Sequence, residues 1–232
     1  MIAPLIPYAL RGAIWYQGEN NANSNHPELY ALQLPVLIRD WRQRWGQGDF
    51  PFAWVQLPNF QPKSSAAAKW PLVREAMRRT LTVPHTGMAV AIDVGDAKNI
   101  HPKNKREVGH RLALWARAQV YGEDIPWSGP LFKDYSIIGD RLVVRFSHTD
   151  GGLIARDGAV RGFFLAGADR HWLPADARIV GDTVVLSHPQ IAAPSAARYG
   201  WADNPDCNLF NGAGLPASPF RTDDWDPLTK LD

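Results

Sequence analysis

The first 126 residues alternate short apolar runs with amphipathic segments, and this alternation constrains the fold more than any other feature. Three apolar runs have the length and composition of buried strands, at 13–16, 52–57 and 87–95. Three other segments carry apolar side chains at helical spacing, at 27–45, 70–83 and 104–122. Strands that alternate with helices form a parallel sheet with helices packed against it. The sequence therefore predicts an α/β layer.

The pattern of apolar and polar residues changes at Trp127. Short alternating or apolar runs follow, split by Gly-Asp turn signals, as in "SIIGDRLVVRF" and "ARIVGDTVVLSH". Such runs are typical of antiparallel sheets or sandwiches. We therefore expect two domains, an α/β domain over residues 1–126 and a small β-rich domain over residues 127–232.

Charge and composition narrow the classes of partner. The chain has 232 residues, 45% of them hydrophobic, and a net charge of +2, which is typical of a soluble globular protein. Its basic residues form no clustered stripe, so neither nucleic acid nor a membrane is indicated as a partner. Cys207 is the one cysteine, which excludes an internal disulfide and a cysteine-based zinc site. A neutral or small molecule is the expected partner.

The sequence begins "MIAPLIPYAL", which has no basic segment, contains two prolines and lacks a small-residue cleavage site. These features match neither a signal peptide nor a membrane helix, so the localisation is not assigned. No polar lead-in or capping signal separates Met1 from residues that resemble interior structure.

Polar side chains follow the first and third predicted strands. The first strand leads into Gln17, Gly18 and Glu19, and the third leads into a loop that contains Asp96 and His101. Because parallel strands deliver catalytic groups at their carboxyl ends, both loops are candidates for one active site. A histidine in that position suits a general base, although a surface histidine that caps the next helix is an equal alternative.

The other histidines have weaker claims to a catalytic role, because their positions suit structural or solvated side chains. They are His26, His85, His110, His148, His171 and His188. The proline after His101 favours a catalytic role for this histidine, because the proline stiffens the loop and fixes the direction of the imidazole ring.

Three segments together resemble a known family: "WYQGENNA" (15–22), "DVGDAKNIHPKNKREVGHRLAL" (93–114) and "RYGWADNPDCNLFNGAGLPASPFRTD" (198–223). They are similar to the sialate O-acetylesterase group of the SGNH (GDSL-like) hydrolases, which is related to some acetyl xylan esterases. The resemblance implies an SGNH-type parallel sheet, here amino-terminally incomplete. It also implies an esterase that removes acetyl groups from acetylated sugars with a serine, a histidine and an acid, without metal or other cofactor.

The resemblance assigns roles to individual residues. His101 becomes the general base, and Gln17, Gly18 and Asn20 line the site where the tetrahedral oxyanion develops. Ordinary hydrogen bonding within the loop is the alternative for Gln17 and Asn20.

The acid that orients His101 departs from the family pattern. Many members carry aspartate three or two residues before the histidine, where this chain has Lys98 and Asn99. Glu19 is the first candidate for the acid, since the Glu of Gln-Gly-Glu accepts from the histidine in related acetyl xylan esterases. Asp96 is the second candidate, and an Asx turn is the alternative role for its side chain.

The catalytic serine has no match, because the chain contains neither a Gly-Gln-Ser-Asn nor a Gly-Asp-Ser block. We therefore expect a carboxyl-terminal part of an esterase whose serine block and first strand lie upstream of Met1. One alternative is a complete esterase that uses Ser64 or Ser65. Another is a carbohydrate-binding or structural module, which the ten tryptophans favour.

Several properties stay open at this point. The acetylated sugar and the oligomeric state do not follow from the sequence, and full-length relatives are expected to be periplasmic or secreted.

Overall fold

The amino-terminal part of the molecule is built on a three-stranded parallel sheet. The structure, a computed structural model, describes residues 2–62 and 69–227. The strands of the sheet are β1 (Ala13–Trp15), β2 (Phe52–Gln56) and β3 (Thr86–Val90). They lie in the order β1-β2-β3, and both pairs are parallel. The predicted α/β layer is confirmed.

Helices connect and cover these strands. They are α1 (Glu19–Ala22), α2 (Tyr30–Trp45), α3 (Trp70–Arg79) and α4 (Lys105–Gln119), with 3₁₀ turns at Ala3–Leu5, Pro27–Leu29 and Thr80–Thr82. Pro27 occupies the first position of its 3₁₀ turn, where its missing N–H costs nothing. Gly46 ends α2 in the left-handed conformation, with φ of 64°. The Asn104 side chain caps α4 by accepting from the Glu107 N–H.

The central strand divides its side chains between two apolar layers. Phe52 and Trp54 are buried with residues of α2 and α3, such as Ile38 and Met77. Their neighbours Ala53 and Val55 are buried on the other face with residues of α4. This alternation follows from the pleat of a strand, whose successive side chains point to opposite faces. The helices therefore cover both faces of the sheet.

The first strand differs from its prediction. It was expected to be buried, but β1 pairs with β2 alone among the described residues, and 69% of Ile14 is exposed. Ala13 and Trp15 pack with the layer of α2 and α3, so Ile14 points to the opposite face, where the apolar layer of α4 does not include it. The third strand is shorter than the run at 87–95 suggested, because β3 ends at Val90.

The carboxyl-terminal part is antiparallel, as predicted. Its strands are β4 (Leu131–Ile138), β5 (Arg141–Ser147), β6 (Leu153–Ala155), β7 (Phe163–Ala166), β8 (Trp172–Pro174), β9 (Asp176–Val180), β10 (Thr183–Ser187), β11 (Ala196–Tyr199), β12 (Leu209–Asn211) and β13 (Phe220–Arg221). They form two four-stranded sheets, β4-β5-β10-β9 and β13-β11-β7-β8, and the pair β12-β6. Gly139 and Gly181 turn the two predicted hairpins with φ near 60° (61° and 57°).

A fully buried arginine joins the two parts of the chain. The Arg74 guanidinium, on α3, donates to the carbonyl oxygens of Leu57, Pro58, Ala202 and Asp203 at 2.6–2.9 Å. Burial lowers the pKa of Arg74 to about 10, so the side chain stays charged at neutral pH. The division at residues 126 and 127 stays a prediction. None of the described helices is long and apolar enough to cross a membrane.

Candidate active site

The loops after β1, β2 and β3 leave the same edge of the sheet, because the three strands are parallel. The loop after β1 carries Gln17, Gly18 and Glu19, and the loop after β3 carries Asp96 and His101. This edge is where the sequence placed the candidate residues.

Gln17 is held by hydrogen bonds on both sides of its amide. The Tyr30 hydroxyl lies 2.9 Å from the Gln17 carbonyl oxygen and 3.2 Å from Oε1. Gln17 Nε2 donates to Asn21 Oδ1 at 2.8 Å. Loop hydrogen bonding, the alternative considered for this residue, therefore occupies part of its amide, and the side chain has one N–H left to offer.

Gly18 needs the freedom of a glycine for two reasons. Its φ is 152°, a conformation that other residues rarely adopt. A Cβ atom at this position would lie 2.9 Å from Met77 Cε, so the end of the Met77 side chain would have to shift. The backbone of the loop is thereby fixed between β1 and α1, and Gly18 N–H has no acceptor among the described residues.

Glu19 and Asn20 lie in the first turn of α1 rather than in an open loop, which the sequence did not predict. Asn20 is exposed, and Glu19 is partly buried. Burial raises the pKa of Tyr16 to about 12, and the nearby Glu19 carboxylate contributes to the rise. The pKa of Tyr30 is raised to about 12 chiefly by burial, with a smaller contribution from Glu19. The Glu19 charge therefore acts on both phenols.

One contact joins the β1 loop to the region of His101. The Lys105 ammonium lies over the Tyr16 ring, 4.6 Å from its centroid. Tyr16 directly precedes Gln17, and Lys105 begins the helix that follows His101. This cation-π contact brings the two candidate loops together.

His101 itself is exposed, and Asn99 and Pro102 define its position. Its backbone N–H donates to Asn99 Oδ1 at 2.9 Å, and Pro102 is buried beside it. Asn99, which replaces an expected acid, thus fixes the backbone of the histidine rather than its ring.

The assignment of Glu19 or Asp96 as the acid that orients His101 stays a prediction. Within residues 2–62 and 69–227, no hydrogen bond or ion pair joins the His101 ring to either acid or to a serine. The exposed ring lies on a surface loop, where packing does not force it against a partner. Catalytic hydrogen bonds are often long before substrate binds, so the geometry alone does not remove either acid.

The acids of the β3 loop are engaged elsewhere. Asp96 Oδ1 accepts from the Lys98 N–H at 2.8 Å, which is the Asx turn considered as its alternative role. Asp93 receives two hydrogen bonds from the buried Arg111 guanidinium, at 2.6 and 2.8 Å. Among the described acids of the two loops, Glu19 has the carboxylate that no hydrogen bond holds.

Asn59 ties the β2 loop to the β3 loop. Its Oδ1 accepts from the Gly95 N–H at 2.9 Å, and its Nδ2 donates to Asn204 Oδ1 at 2.8 Å. A Cβ atom at position 95 would lie 2.2 Å from the Asn59 carbonyl oxygen, so only glycine fits there. The polar edge of the sheet is therefore continuous with the carboxyl-terminal part of the chain.

Comparisons with known proteins identify a family that this chain resembles. Residues 3–117 match the carbohydrate esterase family described as sialic acid-specific acetylesterase. A crystal structure of a carbohydrate acetylesterase from Xanthomonas citri superposes with a TM-score of 0.93 at 48% identity, over 97% of this chain and 53% of that chain. Residues 3–117 belong to this family of carbohydrate esterases. The resemblance that the three sequence segments indicated is confirmed.

Curated sialate O-acetylesterases from mammals also match this chain in sequence. The mouse protein is 34% identical over 95% of this chain and 46% of its own length. The human protein is 32% identical over 95% of this chain and 47% of its own length. The chain therefore spans about half the length of the curated sialate O-acetylesterases that it matches.

Sequence reasoning missed three residues at this edge of the sheet: Tyr16, Asn59 and Lys105. Asn59 follows a buried strand directly after Pro58, a position comparable to those that singled out the other two loops. That signal was available in the sequence. The contact between Tyr16 and Lys105 had no such signal, because it depends on the packing of α4 against the sheet.

Two further expectations concern a metal ion and a substitute serine. Among the described residues, no group of three histidine, cysteine, aspartate or glutamate side chains could hold a metal ion. Ser64 and Ser65, the alternative nucleophiles, lie outside the described residues.

Proposed function

We propose that this chain carries the general base and the oxyanion-binding groups of a carbohydrate O-acetylesterase, which removes acetyl groups from acetylated sugars. The contact between Lys105 and Tyr16 supports this proposal most directly, because it brings the His101 region to the Gln-Gly-Glu loop. The sialate and carbohydrate acetylesterases among its relatives support the substrate class.

In the proposed reaction, a serine hydroxyl attacks the acetyl carbonyl carbon while His101 takes its proton. The tetrahedral intermediate then collapses, and the imidazolium returns that proton to the departing sugar oxygen. Water, activated by the same ring, releases acetate from the acetyl-serine. The exposed imidazole, whose ring has no hydrogen-bond partner within residues 2–62 and 69–227, is free to make these transfers.

The oxyanion would be stabilised by donors of the β1 loop. Gly18 N–H has no acceptor among the described residues, and Gln17 and Asn20 supply amide donors next to it. Preorganised donors of this kind contribute roughly 3 kcal/mol each to stabilising the transition state. The rigid conformation of Gly18 keeps the backbone donor in place.

The serine is proposed to come from sequence outside these 232 residues, because the chain contains no Gly-Gln-Ser-Asn or Gly-Asp-Ser block. A serine-directed fluorophosphonate probe tests this directly. The 232-residue chain is expected to remain unlabelled, whereas a label on Ser64 or Ser65 would establish the substitute nucleophile.

The alternative of a sugar-binding module without catalysis loses its main support. All ten tryptophans lie in the described residues, and none of them is exposed. Trp172 and Trp225 form a pair in the carboxyl-terminal part, with ring centroids 5.6 Å apart, but Trp172 is buried. No tryptophan platform for sugar stacking is present in the part of the chain that the structure describes.

Glu19 is the proposed acid that orients His101, since Asp96 is occupied by its Asx turn. In a polypeptide that is active on p-nitrophenyl acetate, Glu19→Gln is expected to lower kcat about 100-fold, because the imidazolium would lose its stabilising charge. Asp96→Asn keeps the acceptor oxygen of the turn and is expected to change kcat less than about threefold. Steady-state kinetics on both variants decide between the acids, and the reverse order of effects would assign the role to Asp96.

A further inference from the structure

A cavity of about 350 Å³ lies in the carboxyl-terminal part of the chain, beside the loop that reaches the candidate active site. This volume is in the lower part of the range for small-molecule sites, roughly 300–1,000 Å³. Its lining includes Arg161, Phe164, Pro174, Trp201, Asn204 and Asp206. Nothing in the proposed chemistry of His101 uses this cavity.

The polar groups of the cavity are held in place. Arg161 Nε lies 3.1 and 3.0 Å from the two carboxylate oxygens of Asp206, and Nη1 donates to the Asp157 carbonyl oxygen at 3.1 Å. The Arg161 backbone N–H donates to Asn208 Oδ1 at 2.8 Å, which anchors the start of this side chain. A guanidinium fixed in this way still has Nη2 hydrogens to offer a ligand.

Acceptors and donors lie side by side in this cavity. The Asp206 side chain is 77% exposed, so its carboxylate keeps lone pairs that face solvent. Asn204 Oδ1 accepts from Asn59, which turns the amide and leaves Nδ2 without an acceptor among the described residues. Sugar hydroxyls both donate and accept, and a carboxylate beside a guanidinium and an amide satisfies both roles.

The walls and the charge of the cavity define the ligand further. Phe164, which is partly buried, and Pro174, which is exposed, give apolar surface of the kind that packs against the C–H face of a pyranose ring. Arg161 and Asp206 are the charged residues among the described lining, and they neutralise each other. The cavity therefore offers no net positive charge to attract an anionic sugar.

We propose that this cavity binds a neutral sugar residue of the acetylated glycan, next to the residue that loses its acetyl group. The substrate class rests on the proposed O-acetylesterase function. The hydrogen bonds from Asn204 through Asn59 to Gly95 connect the cavity to the loop that carries His101. A glycan held in the cavity would therefore lie along the same polar edge as the candidate active site.

Titration calorimetry of the 232-residue chain with xylotriose, cellotriose and mannotriose tests this proposal, with N-acetylneuraminic acid as the anionic comparison. At least one neutral trisaccharide is expected to bind more tightly than N-acetylneuraminic acid. Asp206→Ala is expected to weaken that binding roughly tenfold, because it removes charge-assisted hydrogen bonds to the ligand. Asp40→Ala is the matched control, since Asp40 forms an exposed ion pair with Arg44 on α2.

The two proposals fail separately, because these trisaccharides carry no acetyl group and their binding needs no esterase chemistry. Binding that is lost in Asp206→Ala and kept in Asp40→Ala supports the cavity, whether or not the chain hydrolyses acetyl esters. The proposal is overturned if no neutral trisaccharide binds, if N-acetylneuraminic acid binds best, or if both variants bind alike. Circular dichroism confirms that each variant is folded.

Discussion

His101→Ala is expected to lower acetate release from acetylated sugars by at least about 10³-fold in a polypeptide that joins this chain to a serine-bearing amino-terminal segment. Without the imidazole, the serine hydroxyl keeps its proton and the departing sugar oxygen receives none. The 232-residue chain alone is expected to hydrolyse p-nitrophenyl acetate no faster than its own His101→Ala variant. Initial rates of acetate and p-nitrophenol release, measured on both polypeptides, check the two expectations.

His110→Ala is the matched control, because His110 is an exposed histidine on α4 in the same stretch of sequence. Its rate is expected to stay within about twofold of the unmodified polypeptide. Activity of the 232-residue chain by itself, with a burst that labels one of its own serines, would contradict the proposal that the serine lies elsewhere. An equal loss in His110→Ala would show that the effect of His101→Ala is not catalytic.

Arg74→Met is expected to lower the free energy of unfolding by about 4 kcal/mol. The four carbonyl oxygens that Arg74 bonds lie on the β2 loop and on the segment at Ala202 and Asp203, and the apolar side chain would leave them without these donors. Because these bonds join the two parts of the chain, the loss is expected to appear as one cooperative shift. Urea denaturation followed by tryptophan fluorescence measures it.

Arg44→Met makes the same chemical change on the surface of α2. Arg44 forms an ion pair with Asp40 at 2.8 Å, with 58% and 44% of the two side chains exposed. Its loss is expected to cost less than about 0.5 kcal/mol, as exposed pairs usually do. If the two variants unfold at the same urea concentration, the bonds of Arg74 do not stabilise the junction.

The parts of the fold that were predictable are those where one local pattern decides the structure. Every residue of β2 is buried because this strand has a neighbour on each side and helices over both faces, and its residues other than Gln56 are apolar. The helix α4 begins where Asn104 offers a cap, three residues before Glu107. In such places the spacing of apolar side chains and the capping residue at the end of the element indicate the same structure.

Prediction was weaker where the answer depends on neighbours that are distant in sequence. Ile14 has the composition of a buried strand residue, and only the strand order shows that it lies at an edge. The candidate residues were found because they follow strands, but their pairing could not be read from spacing. Glu19 lies in the first turn of α1, and its charge acts on the Tyr16 and Tyr30 phenols.

The close approach of Gly95 to Asn59 has a consequence for how sequences of this kind can diverge. Position 95 excludes every side chain, and position 59 must keep a side-chain acceptor for the Gly95 N–H and a donor for Asn204. A homologue that replaces the glycine has to rebuild the β2 loop at the same time. Neutral drift at these two positions is therefore expected to occur jointly, by paired replacement rather than by single steps.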